Sequence, residues 1–365
     1  MNILHIAFVS GNRCSGVSNV VPLHVINQAK YENVALLNLI CYQPNGNFTC
    51  FVTDGSHTLE NLPVPFNSPD LVVFHEIYHI EYVKLAKWLS ARNIPYVIVP
   101  HGCLRRKAQR KKWFKKLVAN ALVFDSFVCG CLGIQCLADD EKNELIYRRV
   151  NSFVGTNGCS LPETRKTQFG TDGLVFTFIG RLDAYHKGLD LMLAAIKSAH
   201  DLLKSHNCRF YIYGPDYKGR FENVARLIVE NDVGDIVSLN HEVFGADKLN
   251  ALMNADVFIQ TSRFEGMPLG VLEAFSYGIP CLLTKGTNLS GYAKSYNAGW
   301  ECDATVESIA AAIAEAVSCT DLEIKSQNAV NIIKDNFNWE KAATDELAEY
   351  RRLLCIKNSV PLKRK

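Results

Sequence analysis

Two glutamates, Glu265 and Glu273, stand with seven residues between them in the stretch RFEGMPLGVLEAFSYGIP that fills residues 263–280. A helix rises about 1.5 Å per residue, so a wholly helical path would separate the two carboxylates by roughly 12 Å. The paired carboxylates that hydrolyse glycosides work at roughly 5 to 9.5 Å, so this spacing suits a ligand gripped at two ends. Gly266 lets backbone approach such a ligand closely, and Pro268 suits a first helical turn. The unpaired N–H groups there favour an anion such as a phosphate. A second pattern, His75-Glu76-Ile77-Tyr78-His79, spells the HExxH of zinc metalloproteases, which needs both histidines on one helical face and a further ligand downstream. The residues just before it, PDLVVF, read as a strand instead. They place His75 at a strand end, and no metal site is expected.

The 263–280 stretch resembles the signature of the retaining family 4 glycosyltransferases, which share the two-domain GT-B fold. The resemblance extends upstream to FIGRLDAYHKGLD, where Arg181 and Lys187 look like the basic pair with which that family holds a nucleotide-sugar diphosphate. His101-Gly102, after the strand-like residues 96–99, is similar to the family's active-site histidine, and Asn157-Gly158 resembles the asparagine-glycine that enters its second domain. Ser15-Gly16-Val17 stands where relatives have a Gly-Gly loop, with one glycine in place of two. The likeness covers most of the chain, with specific motifs in the second half and looser ones in the first.

Roles follow from the reaction that the resemblance implies. Transfer from a nucleotide diphosphate sugar breaks an anomeric C–O bond, so negative charge grows on the departing phosphate. Preorganised cations at a developing oxyanion stabilise that charge, which assigns the diphosphate to Arg181 and Lys187 without a metal. Backbone donors at Gly266, Met267 and Leu269 add to this, with Pro268, which has no N–H, shaping the turn that presents them. By resemblance Glu273 takes the ribose hydroxyls, Glu265 the donor sugar, and Gly16 gives the diphosphate close passage. His101 is expected at the carboxyl end of a parallel strand, where open α/β sheets bind ligands, in a positioning and electrostatic role beside the scissile bond. His75 resembles acceptor-side residues of some relatives. The expected donor is a UDP- or GDP-sugar, with no further cofactor.

These residues need a frame of parallel sheets with crossover helices, and short β-branched runs do alternate with longer amphipathic stretches along the chain. Strands are expected at 3–9, 34–40, 71–74, 96–99 and 126–129, and after a turn-rich connection at 174–179, 209–213, 236–239, 257–260 and 281–283. Helices are expected between them, at 17–29, 80–91, 105–118 and 134–145 in the first half. The expected architecture is α/β, GT-B, with two Rossmann-like doubly wound domains facing a cleft: 1–160 on the acceptor side, 161–338 binding the nucleotide sugar, and helix 339–356 returning to the first. A length of 365 residues accommodates two cores. The first nine residues read as a strand and not a signal peptide, because the first cation, Arg13, follows the apolar run. Asn120, Asp125, Ser126 and Gln135 interrupt the apolar residues 119–138, which excludes a membrane span. Thirteen cysteines without a CxxC pair read as reduced thiols.

Residues 105–116, RRKAQRKKWFKK, hold eight cations and no acid in a chain of net charge +2. Trp113, Phe114, Leu117 and Val118 add an apolar side, which suits docking on an anionic membrane surface; a solvated or acceptor-phosphate-binding helix is the alternative. No nucleic-acid recognition motif accompanies the charge. The sequence is thus expected to encode a hexosyltransferase acting on a saccharide or lipid-linked saccharide in surface polysaccharide assembly, in the cytoplasm or peripherally at the inner membrane face. A nucleotide-sugar 2-epimerase of the same architecture and a non-catalytic sugar-nucleotide-binding subunit are the alternatives.

Overall fold

The computed structural model describes residues 1–110, 113–170 and 172–359, with backbone alone at Lys107 and Arg110. The chain forms two compact units, Met1–Gly158 together with the segment from Trp339 onward, and Cys159–Asn338.

The first unit is built on seven parallel strands: β1 (Asn2–Ala7), β2 (Asn33–Asn38), β3 (Thr49–Val52), β4 (Leu71–His75), β5 (Tyr96–Val99), β6 (Gly133–Cys136) and β7 (Ser152–Val154). Their order is β3-β2-β1-β4-β5-β6-β7. The opening apolar run therefore becomes a central strand, with His5 opposite Leu36 on one side and Val73 on the other. The second unit has six: β8 (Val175–Ile179), β9 (Arg209–Tyr213), β10 (Val237–Asn240), β11 (Val257–Gln260), β12 (Cys281–Thr284) and β13 (Gly299–Cys302), ordered β10-β9-β8-β11-β12-β13 and all parallel. Each sheet reverses its winding once, between β1 and β4 and between β8 and β11. Loops leave the carboxyl ends of those strand pairs in opposite directions and open a crevice there.

Strands β3, β7 and β13 were not expected, and one region is reversed. Residues 126–129, expected as a strand, lie in the helix Asp125–Cys129, whereas β6 occupies the start of the expected helix 134–145. Aromatic packing explains the helix: Phe127 meets Phe74 edge-on at 5.2 Å and stacks on Tyr96 at 5.6 Å, covering one face of the sheet. The hydroxyl of Tyr96 donates to the Phe127 carbonyl at 2.7 Å. The strand opens on Gly133, where a Cβ would stand 3.0 Å from Leu353 of the last helix. That helix, Trp339–Ser359, belongs to the first unit and buries Glu346, Tyr350 and Leu353 against it. Gly158 makes the return possible, since a Cβ at this position would stand 2.4 Å from the Trp339 ring. No helix among the described residues is long and apolar enough to cross a membrane, and all thirteen cysteines are free thiols.

Candidate active site

In the second unit the expected residues gather at the carboxyl ends of β8 and β11. The loop after β8 runs through Arg181, which is exposed and has no carboxylate partner among the described residues, into a single helical turn, Ala184–Lys187. Asp183 caps that turn by accepting from the His186 N–H at 3.0 Å. Gly188 ends it at φ +65, a conformation that favours glycine, and a Cβ there would stand 2.0 Å from the Thr261 carbonyl. Lys187 is therefore pressed against the strand end of β11, where its ammonium donates to Glu265 Oε1 at 2.7 Å. Ser262 Oγ donates to the same oxygen at 2.7 Å, and the His186 Nε2 stands 3.9 Å away. Burial alone would raise the Glu265 carboxyl, but the Lys187 ammonium beside it prevails and holds it below the ordinary carboxylate range. A bidentate ion pair, Arg263 to Asp190 at 2.7 Å through both nitrogens, ties the two loops together from outside.

After Glu265 the chain turns over Gly266, whose carbonyl accepts from Asn288 at 2.6 Å, and enters the helix Leu269–Ser276. Pro268 sits at its N-cap in an extended conformation, one position earlier than the first-turn place expected for it, and no side chain caps the helix start. Glu273 is half-buried on this helix and pairs with Lys248 of the helix Gly245–Asn254. Lys187 and Glu265 are thus in direct contact, whereas Glu273 is engaged by a different lysine. Sequence reasoning missed Lys248, Ser262 and His186. The first two carry no motif signal, but His186 adjoins Lys187 and could have been singled out.

The first unit carries Gly16 and His101. Gly16 opens the helix Gly16–Gln28 after β1, behind the Ser15 cap, and nothing lies within 4 Å of where its Cβ would be. His101 follows β5 with a left-handed φ of +49, and its Nε2 lies 3.1 Å from Nδ1 of His75. His75 in turn bonds His5 at 2.8 Å, and His5 bonds Gln28 at 3.0 Å. His75 is 1 % exposed with both ring nitrogens occupied, so it touches no acceptor; burial overrides the role its strand-end position implied. The HExxH pattern is no helix either, since His75 closes β4, Glu76 has φ +72 and His79 only precedes the helix Ile80–Ala91. Burial pushes the imidazoles down, His5 to about 3 and His101 to about 4, so all three are neutral. Nearby, Asn157 is buried and its oxygen is 3.1 Å from the His24 ring, whose other nitrogen meets Glu346 at 3.1 Å.

The basic segment divides unevenly. Arg105 is 2 % exposed and its Nε donates to Glu144 at 2.9 Å, so this cation belongs to the core and is removed from the expected docking surface. Lys111 and Lys112 lie outside the described residues. Beyond them Trp113, Phe114, Leu117, Val118 and Leu122 are exposed on one continuous helical run.

Residues 162–334 match the family described as glycosyl transferases group 1. The UDP-Gal:alpha-D-GlcNAc-diphosphoundecaprenol alpha-1,3-galactosyltransferase of Escherichia coli is 33% identical over 340 residues, 84% of this chain and 86% of that protein. The GDP-mannose:cellobiosyl-diphosphopolyprenol alpha-mannosyltransferase of Xanthomonas oryzae pv. oryzae (strain PXO99A) is 25% identical over 293 residues, 73% of each. Among solved structures, Anabaena Alr3699/HepE in complex with UDP and glucose superposes with a TM-score of 0.69 at 15% identity, covering 96% of this chain and 100% of that one, and shows the same fold. With identity to a glycosyltransferase along most of both lengths, and the group 1 match lying over Lys187, Glu265 and Glu273, the chain belongs to the glycosyl transferases group 1 family and is a glycosyltransferase.

Proposed function

We propose that this enzyme transfers a hexose, with retention of anomeric configuration, from a UDP- or GDP-sugar to a saccharide carried on a lipid diphosphate, in surface polysaccharide assembly. The observation that carries the reading is the Lys187–Glu265 contact at the crevice between β8 and β11, directly before an uncapped helix start. In this reading Arg181 and Lys187 neutralise the charge that grows on the leaving diphosphate, helped by the N–H groups of Gly266, Met267 and Leu269. Glu265, held ionised by Lys187, accepts from donor-sugar hydroxyls, and Glu273 meets the ribose.

The loading of Glu265 supports retention without a covalent intermediate. Its Oε1 already accepts from an ammonium and a hydroxyl, which makes it a poor nucleophile. The anomeric C–O bond to phosphate breaks, the acceptor oxygen bonds to the same carbon from the same face, and the acceptor's proton passes to the departing phosphate oxygen. No metal is assigned a role. The test is a panel of nucleotide sugars with and without a diphosphate-lipid saccharide, reading free nucleotide and the anomeric configuration of the product. Acceptor-dependent nucleotide release with a retained configuration is expected. Conversion of the donor to a 2-epimer without acceptor, or binding without turnover, overturns the reading.

A lipid-linked acceptor also requires access to a membrane, and the apolar run from Trp113 beside the lysines supports docking at an anionic inner leaflet. Each cation near such a surface contributes about 1 kcal/mol. Replacing Lys111, Lys112, Lys115 and Lys116 with glutamine should release the protein from acidic vesicles in sedimentation and spare transfer to a soluble acceptor. Indifference of the unaltered protein to acidic vesicles at low salt removes the membrane role.

A further inference from the structure

The buried histidines of the first unit form a chain with a direction. Glu346 on the last helix accepts at Oε1 from Gln135 at 2.7 Å, and at Oε2 from Gln28 Nε2 at 2.7 Å. A carboxylate only accepts, so the amide nitrogen of Gln28 must face it and the amide oxygen must face His5. That oxygen also only accepts, so the proton between them sits on His5 Nε2. A neutral imidazole carries one proton, which leaves His5 Nδ1 as an acceptor and puts the next proton on His75 Nε2. The same step places the following proton on His101 Nε2. Reversing any link sets two lone pairs or two N–H groups against each other at about 3 Å inside a site where His5, His75, Gln28 and Glu346 are 0–1 % exposed.

We infer that His75 and His5 are positioning residues: anchored on Glu346 through Gln28, they fix His101 as its Nε2–H tautomer and leave its Nδ1 lone pair to accept from a hydroxyl of the bound sugar. The first half stands on the hydrogen-bond network alone, and the second half rests on the glycosyl-transfer reading above. Nδ1 of His101 has no hydrogen-bond partner among the described residues. The low basicity of all three rings agrees with a neutral chain, whereas His24 is the ring beside Glu346 whose basicity is raised; burial opposes that and the carboxylate charge prevails. A hydroxyl donor is the partner that an imidazole lone pair selects, so the chain determines which way a sugar O–H must point. No atom of His75 or His5 need touch the substrate for this.

The full-length protein labelled with 15N-histidine, without ligand, reports the proton position directly through long-range 1H–15N correlations. The proton on Nε2 of His101 is expected, and a proton on Nδ1 overturns the inference. His75→Phe removes the acceptor and should free the tautomer, lowering kcat by about tenfold or more with little change in donor KM, as expected for a contact used in the transition state. His75→Asn offers an oxygen at the place of Nδ1 and should restore both the Nε2–H signal and most of kcat. If Phe disrupts folding, the Asn variant still decides: an Nε2–H His101 with recovered turnover supports the chain, and an Nε2–H His101 with turnover lost removes the positioning role. An Nε2–H signal in a protein that turns over no nucleotide sugar leaves the chain standing and overturns its sugar-hydroxyl half.

Discussion

The two units present their candidate residues at equivalent crevices but hold them by opposite electrostatic means. In the second unit the frame is ionic: Lys187 on Glu265, Arg263 on Asp190 and Lys248 on Glu273. In the first it is a run of neutral rings, His101 to His75 to His5, charged only at its far end where His24 and Glu346 meet. The difference fits the ligand chemistry proposed for each. A diphosphate needs cations already ionised and oriented, whereas a sugar hydroxyl is recognised by a lone pair whose position must be certain.

Acid should separate the two units most strongly. The folded pKa values of His5, His75 and His101 are depressed, so these groups contribute stability above the unfolded value of about 6.5 and lose it as pH falls toward about 4. Three protons taken up on unfolding correspond to about 4 kcal/mol per pH unit across that window. His24, raised in the folded state, is protonated in both states there and offsets nothing. The second unit has one depressed histidine of this kind, His186, and the loss tied to Glu265 comes only as pH falls through its lowered value, below 4.5. Hydrogen exchange between pH 7 and 5, corrected for intrinsic rates, should therefore show the first unit losing protection while the second keeps it. Equal loss in both would remove the contrast.

Lys187→Ala comes next, with kcat lowered about 100-fold or more, roughly 2.7 kcal/mol, and both units still folded. Unchanged turnover at saturating donor would show the ionic frame to be structural only. The smallest effect divides the glutamates. Glu273→Ala should weaken binding of the bare nucleoside diphosphate about tenfold by calorimetry, and Glu265→Ala should spare that affinity while impairing transfer. Equal loss in both variants would assign the ribose contact elsewhere.

The same contrast explains what could be read in advance. Apart from Lys248, the ionic frame of the second unit lies within two contiguous motifs, so Lys187 and Glu265 were legible before any fold was known. The histidine chain draws one residue from each of β1, β4 and the loop after β5, and its anchor from residue 346, so no local spacing reveals it. The HExxH pattern was a coincidence that hid His75's actual connection. Most strands with β-branched runs were foreseeable, but β6 was not, because GIQC holds a single β-branched residue and Leu353, which packs on Gly133, comes from the last helix. Arg105 looked like one more surface cation in a basic run, and only its pairing with Glu144 shows it to be core.

Interruption of the first unit by the whole of Cys159–Asn338 has a consequence for how the protein comes into being. On the ribosome the seven strands of the first sheet emerge early, yet Glu346, Tyr350 and Leu353 arrive only after the second unit has been made. At about 5–20 residues per second, that interval is roughly ten to forty seconds. During it Gln28 and Gln135 lack their carboxylate, Gly133 lacks its cover, and the nascent first half has a sheet without a closing helix. The second unit can therefore mature before the first, although it is synthesised later, and the first unit is the one that would lean on chaperones.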